Sequence, residues 1–199
     1  MELSDQIAGI VHDVKNQLQL LSPSVSMLCE NDSNEVRYAG ALIDSTLDGI
    51  NRQLVLLLGI YRMDEANLFS QEECYLVDVL DSLVTRVSGC ACRVTCPDDL
   101  TAFCDVRLVT AVLGDALHNA LRHSDQQLVI SAQPEGKGVL ICIEDDGPGL
   151  SLEPSDNAGL GLLLASKVAS AHRNGQIEGY AKLRASSALS GACFELFLP

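Results

Sequence analysis

The chain has 199 residues, 47% of them hydrophobic, which is enough apolar material for one large domain or two small ones with real cores. Its formal net charge of -14 excludes extended contact with nucleic acid or an anionic membrane, since phosphates recruit Lys and Arg through counterion release. No stretch approaches the roughly 18 to 20 unbroken apolar residues of a membrane span, and Glu2 and Asp5 stand where a secretory signal would be basic, so the expectation is a cytoplasmic protein.

From Leu3 to Leu28 the residues Leu3, Ile7, Ile10, Val14, Leu18, Leu21, Val25 and Leu28 recur in steps of three and four, the spacing of one helical stripe. Asn31 to Asn34 breaks the pattern with turn-forming and capping residues. A second stripe then runs through Val36, Gly40, Ile43, Leu47, Ile50, Leu54, Leu57 and Tyr61. Two long helices joined by a short turn make an antiparallel hairpin over residues 1–66, with a kink expected at Pro23. A lone hairpin cannot bury both stripes, so two copies are expected to pair as a homodimeric four-helix bundle.

Beyond Asn67 the elements shorten. The spacing predicts helices over Tyr75–Val87, Val106–His123 and Ala158–His172. It predicts strands over Cys92–Thr95, Leu128–Ala132, Gly138–Glu144, Gln176–Leu183 and Ala192–Leu198. The alternation lacks βαβ regularity, so residues 67–199 read as an α+β sandwich, a mixed sheet covered on one face by helices. Without a secretion signal the eight cysteines are expected to be reduced. Cys90, Cys92, Cys96 and Cys104 cluster, but C-x-C-x3-C is not the paired C-x2-C spacing of zinc sites, and the expectation is small buried hydrophobes on strands.

Four constellations carry chemistry. In His12-Asp13-Val14-Lys15-Asn16, Val14 sits on the apolar seam and His12 does not, so the imidazole projects from the flank of the bundle. Asp13 beside it can hold the tautomer and take the ring proton, and Asn16, one turn on, can orient a water. Asp115 and Asn119 are four apart on one helix, so a carboxylate and an amide oxygen share a face and suit a hard cation such as Mg²⁺, with Arg122 and His123 completing the run. Asp145-Asp146-Gly147-Pro148-Gly149 follows an apolar strand, fixing a carboxylate at its end beside a backbone that can approach a ligand closely. Gly159 and Gly161 open a helix whose first N–H groups can cradle phosphates. No Gly-Lys-Ser or Gly-Lys-Thr follows, so this is no Walker loop. Each also has a plain reading alone: an exposed helical histidine, a polar helix face, a common turn.

In this order the four resemble the motifs of the histidine kinases of two-component signalling, whose ATP-binding domain belongs to the gyrase, Hsp90, histidine kinase and MutL (GHKL) superfamily. His12 to Asn16 is similar to the H-box, Asp115 to His123 to the N-box, Asp145 to Gly149 to the G1 box, Gly159 to Gly161 to the G2 box, and Gly191 to Pro199 to the last strand of that fold. The resemblance implies that Asp145 accepts a hydrogen bond from adenine, that Asn119 with Asp115 ligates Mg²⁺, and that Gly147, Gly149, Gly159, Gly161 and Arg122 line the ATP site. It implies that His12 attacks the γ-phosphate and passes the phosphoryl group to an aspartate of a response-regulator receiver domain, with phosphatase activity in reverse. With no sensor segment ahead of Leu3, an upstream sensor protein is the expected source of input. Three departures stand out. Asp115 occupies a position that is often Asn, the lid over 151–158 is short, and the nearest proline after His12 is Pro23. They keep open a dimeric histidine phosphotransferase with a degenerate ATPase-like domain, and beyond it a module that only sequesters a partner.

Overall fold

A computed structural model describes residues 14, 18–30, 33–63, 69–85, 87, 90–149 and 159–199. His12, Asp13, Asn16 and the 151–158 lid lie outside the described residues. The chain divides into two compact units, Met1–Glu65 and Ala66–Pro199.

In the first unit, helix α1 (residues 18–29) is followed by α2 (Asn34–Met63), with Glu35 in the first turn of α2, where a carboxylate complements the helix dipole. A methyl group on Gly40 would lie 2.8 Å from the Cys29 amide nitrogen and 2.9 Å from Leu28 Cβ, so the helices meet here at a distance only glycine admits. Val25 and Leu47 of the two stripes are buried, as is Leu56 outside them, whereas Leu21, Ile43 and Ile50 of the stripes are 50%, 42% and 38% exposed. One copy therefore satisfies only part of its seam.

The second unit is built on a five-stranded sheet of order β2-β4-β5-β9-β8, formed by Ala91–Thr95, Gln127–Glu135, Gly138–Asp145, Ala192–Leu198 and Tyr180–Ala185. β2 pairs with β4 in parallel and the other ladders are antiparallel, giving the mixed sheet expected from the sequence. β5 is central and almost wholly buried, which explains its unbroken apolar run in place of alternation. Helices α4 (Val106–His123) and α5 (Gly159–Ala171) pack on each other and on this sheet, burying Val109, Val112, Leu113 and Leu117 of α4 and Leu164, Val168 and Ala169 of α5.

Asp105 caps α4. Its Oδ1 accepts from the Arg107 and Leu108 N–H groups, both at 3.2 Å, and its Oδ2 accepts from Ser70 N–H at 3.1 Å. Its own N–H donates to Nε2 of fully buried His172 at 3.0 Å, while His172 Nδ1–H donates to the Val168 carbonyl at 2.8 Å. These two bonds fix a neutral imidazole, and Phe69 packs edge-on against it at 5.0 Å. Burial pushes the His172 pKa down despite the Val168 bond and the charge of Asp105.

Several sequence expectations need correction. The helix expected over Tyr75–Val87 is α3, Leu76–Val84, and Tyr75 ends a strand instead: β1 (Glu72–Tyr75) pairs antiparallel with β3 (Thr101–Cys104). Four-residue strands are too short to display alternation. The strand expected over Gln176–Leu183 is two, β7 (Ile177–Glu178), which pairs with β6 (Arg173–Asn174), and β8. They part at Gly179, where a Cβ would lie 2.4 Å from the Ala169 carbonyl oxygen. Of the four clustered cysteines only Cys104 is buried. Cys90, Cys92 and Cys96 are half-exposed: Cys92 lies on β2, an edge strand, and Cys90 and Cys96 flank it.

Candidate functional site

The site is assembled at the end of β5, the start of β9, the second half of α4 and the first turn of α5. Asp145, the last residue of β5, is 5% exposed. Its Oδ1 accepts from Gly147 N–H at 3.0 Å and Ala192 N–H at 3.2 Å, and its main-chain carbonyl accepts from Gly191 N–H at 3.1 Å. Oδ2 accepts from no described residue, so the carboxylate is aimed by one oxygen and keeps the other in reserve. Two glycines make this possible. A Cβ on Gly147 would lie 2.1 Å from the His123 carbonyl oxygen, and one on Gly191 would lie 2.1 Å from Asp145 Oδ1. Gly149 adopts φ +78, which side-chain-bearing residues resist.

Asp115, also 5% exposed, projects from α4 towards the first turn of α5: a methyl group on Gly161 would lie 2.7 Å from its Oδ2. The structure thus joins Asp115 to Gly161, and Asp145 to Gly147, as two clusters. Gly159 is the first residue of α5. Asn119 and Arg122 are exposed on α4. The eight helical steps from Asp115 to His123 span about 12 Å, and the C-terminal end of that span touches the loop after β5 through the His123 carbonyl. The helix is therefore the ruler between the clusters.

Residues the sequence did not single out hold this geometry. The Asp146 carboxylate accepts from the Asp125, Gln126 and Gln127 N–H groups at 2.9 to 3.1 Å, tying the turn after α4 to the loop carrying Gly147. Desolvation opposes its ionisation, but these bonds outweigh it and hold the carboxyl below its ordinary range. Buried Glu144 does the same for the loop before β9. Its Oε2 accepts from Ser186 Oγ–H at 2.6 Å, Ser187 N–H at 2.9 Å and Ala188 N–H at 3.1 Å. Burial raises its pKa and these bonds, with nearby Arg184, lower it further than burial raises it. Glu195 of β9 pairs with Lys182 at 2.9 Å and with Arg184. Local sequence carries no signal for Glu144 or Asp146 because their partners lie some 20 or more residues away. Gly191 could have been noticed as a lone glycine opening a strand.

A carboxylate acceptor held open beside glycine-lined backbone, with a second carboxylate and an amide on a neighbouring helix, is a donor and acceptor set for a purine base and a metal-bound polyphosphate. Residues 104–199 match the family described as histidine kinase-, DNA gyrase B-, and HSP90-like ATPase. No curated protein sequence matches the chain. Among solved structures it is similar to the Acinetobacter baumannii histidine kinase AdeS, at TM-score 0.62 and 18% identity over 94% of this chain and 96% of that one. It is similar to the cytoplasmic segment of histidine kinase QseC, at TM-score 0.55 and 16% identity over 78% of this chain and 94% of that one. It is also similar to the ATP-binding domain of PrrB from Mycobacterium tuberculosis, at TM-score 0.54 and 25% identity over 65% and 96%. The first two likenesses speak for the fold alone.

Proposed function

This chain resembles a histidine kinase catalytic core in which residues 104–199 form a domain of the histidine kinase-, DNA gyrase B- and HSP90-like ATPase family, and from that premise we propose that it is an ATP-dependent protein-histidine kinase of two-component signalling. The observation that carries this reading is the Asp145 carboxylate, held by Gly147 and Ala192 through Oδ1 with Oδ2 left to accept a hydrogen bond. Oδ2 takes the amino group of adenine. Gly147 and Gly149 let the chain fold against the base, Gly159 and Gly161 receive the phosphates at the head of α5, and Arg122, exposed in the last turn of α4, lines the ATP site. Asp115 and Asn119 would hold Mg²⁺, which when bound neutralises phosphate charge. An anionic carboxylate at the head of α5 makes that neutralisation a requirement, so nucleotide binding is Mg²⁺-dependent.

His12 is the phosphoryl acceptor. Its ring nitrogen attacks the γ-phosphorus in line, the bond to the bridging oxygen breaks with ADP as leaving group, and Asp13 takes the ring proton. Such a transfer is accelerated chiefly by positioning and charge neutralisation. The phosphoryl group passes to a receiver-domain aspartate of a response regulator, and Asn16 orients the water for the opposing phosphatase reaction. Residues 1–66 serve as the dimerisation and phosphotransfer hairpin, pairing in a four-helix bundle through Leu21, Ile43 and Ile50, and residues 67–199 as the catalytic domain. The chain's input comes from an upstream sensor protein. Among the described residues no helix is long and apolar enough to cross a membrane.

A second reading, a dimeric phosphotransferase whose ATPase-like domain binds no nucleotide, draws on Asp115, an anion placed against Gly161 where phosphates are expected. Titration of the full chain with ATP, with and without Mg²⁺, separates the two. Saturable Mg²⁺-dependent binding supports the kinase. No binding at millimolar nucleotide, together with transfer from a phosphorylated receiver to wild type but not to His12→Gln, establishes the phosphotransferase.

A further inference from the structure

β1 and β3 form a two-stranded ribbon in which Cys74 stands opposite Ala102 and Glu72 opposite Cys104. Cys74 and Cys104 are thus diagonal neighbours on one face, and their sulfurs approach to 3.6 Å. They differ in access. Cys104 is completely buried, and burial, with Cys74 next to it, pushes its thiol pKa up, so it stays a thiol in contact with the Cys74 sulfur. Cys74 is half-exposed and lines a surface cleft of about 350 Å³ together with Glu73, Asp78, Ser82 and Thr110. An accessible sulfur with a second thiol in contact behind it is the arrangement of a nucleophilic and a resolving cysteine.

We propose that Cys74 and Cys104 are a modification site, a thiol pair that hydrogen peroxide converts reversibly to a disulfide. The Cys74 thiolate attacks a peroxide oxygen, the O–O bond breaks, hydroxide leaves, and Cys74 becomes a sulfenic acid. Cys104 sulfur then attacks Cys74 sulfur, the S–O bond breaks, and the departing hydroxide leaves as water with the Cys104 proton. Peroxide gains two electrons and the two sulfurs lose them. Diagonal neighbours in a ladder have Cα atoms about 7 to 8 Å apart, whereas a disulfide spans about 4.4 to 6.8 Å, so the ribbon draws together as the bond closes. A bond made under that tension is readily reduced. Its position gives it reach. Cys104 directly precedes Asp105, the cap that holds Ser70, the head of α4 and His172, so the link clamps β1 onto the start of the helix that carries Asp115 and Asn119.

A second thiol pair, Cys142 and Cys193, has its sulfurs within 4.8 Å of each other and of a Glu195 oxygen. Both cysteines are buried, at 7% and 0% exposure, and both Glu195 oxygens are engaged by Lys182 and Arg184. That cluster offers an oxidant no accessible sulfur.

The test is peroxide treatment of the full chain, alkylation of the remaining thiols, and peptide mapping without reductant. The expected result is one linked peptide pair containing Cys74 and Cys104, reversed by dithiothreitol. Cys74→Ser abolishes the link. Cys104→Ser leaves a Cys74 sulfenic acid that dimedone traps. Recovery of Cys74 and Cys104 as alkylated thiols from oxidised wild type, or linkage of Cys142 to Cys193 in their place, overturns the proposal.

Discussion

The Asp145 carboxylate has two separable tasks, because its oxygens have different partners. Replacing it by Ala removes the Oδ1 acceptor from Gly147 N–H and Ala192 N–H, and each buried donor left without a partner costs about 1 to 3 kcal/mol. Asp145→Ala therefore destabilises the domain by about 2 to 6 kcal/mol and also loses ATP. Asp145→Asn is the informative change. Its amide oxygen can replace Oδ1 and keep both backbone bonds, so the urea midpoint stays near wild type. Its amino group, however, puts a donor where Oδ2 was an acceptor. A hydrogen bond to a charged group is worth about 1.5 to 3 kcal/mol, so ATP binding weakens roughly 10- to 150-fold. Calorimetric titration of wild type and Asp145→Asn with Mg²⁺-ATP, alongside urea unfolding of both, measures the two effects separately. Wild-type affinity in a stable Asp145→Asn would refute adenine recognition by Oδ2, and unfolding as severe as in Asp145→Ala would refute the division of labour between the oxygens.

Other expectations follow from neighbouring residues. Gly191→Ala puts a methyl group 2.1 Å from Asp145 Oδ1 and 2.4 Å from its carbonyl oxygen, so it lowers both stability and ATP affinity. Gly175→Ala, at φ +63 with open space around it, costs only the left-handed penalty of about 1 to 2 kcal/mol and spares binding; equal nucleotide loss in the two variants would contradict the close-approach argument. The folded-state pKa of His172 lies below its ordinary 6.5, so its neutral form contributes fully above pH 6.5. That contribution falls as pH drops from 6.5 to the lowered value. Urea midpoints between pH 8 and pH 5 should decline more steeply in wild type than in His172→Gln, and parallel curves would count against a buried neutral imidazole. Ile43→Asp with Ile50→Asp places charge on the exposed seam and should convert a sedimenting dimer to monomer; a wild type that is monomeric at micromolar concentration contradicts the bundle.

The long periodic elements were legible from sequence because their signals are local. The helix expected over Val106–His123 is α4, and the strand expected over Ala192–Leu198 is β9, residue for residue. What stayed hidden is non-local. β1 and β3 exist only because they pair with each other, from Tyr75 opposite Thr101 to Glu72 opposite Cys104, positions far apart in the chain. Gly179 ends a strand because the Ala169 carbonyl approaches it, a fact invisible until α5 is in place. The same holds at the site. Asp145 and its glycines announce themselves as a strand followed by D-x-G-x-G, whereas Gly191, which makes room for the Asp145 carboxylate, lies far along the chain, just before β9. Glu144 and Asp146 flank the conspicuous aspartate yet serve loops that fold back from elsewhere in the chain.

The central claim is that His12 receives its phosphate from ATP held by the second unit. Incubation of the full chain with γ-labelled ATP and Mg²⁺, followed by acid and alkaline treatment, tests it directly. The account predicts one phosphoryl group per acceptor, labile in acid and stable in alkali, present on wild type and absent from His12→Gln and Asp145→Asn at limiting ATP. Label that survives acid, or that persists undiminished on His12→Gln, would contradict it.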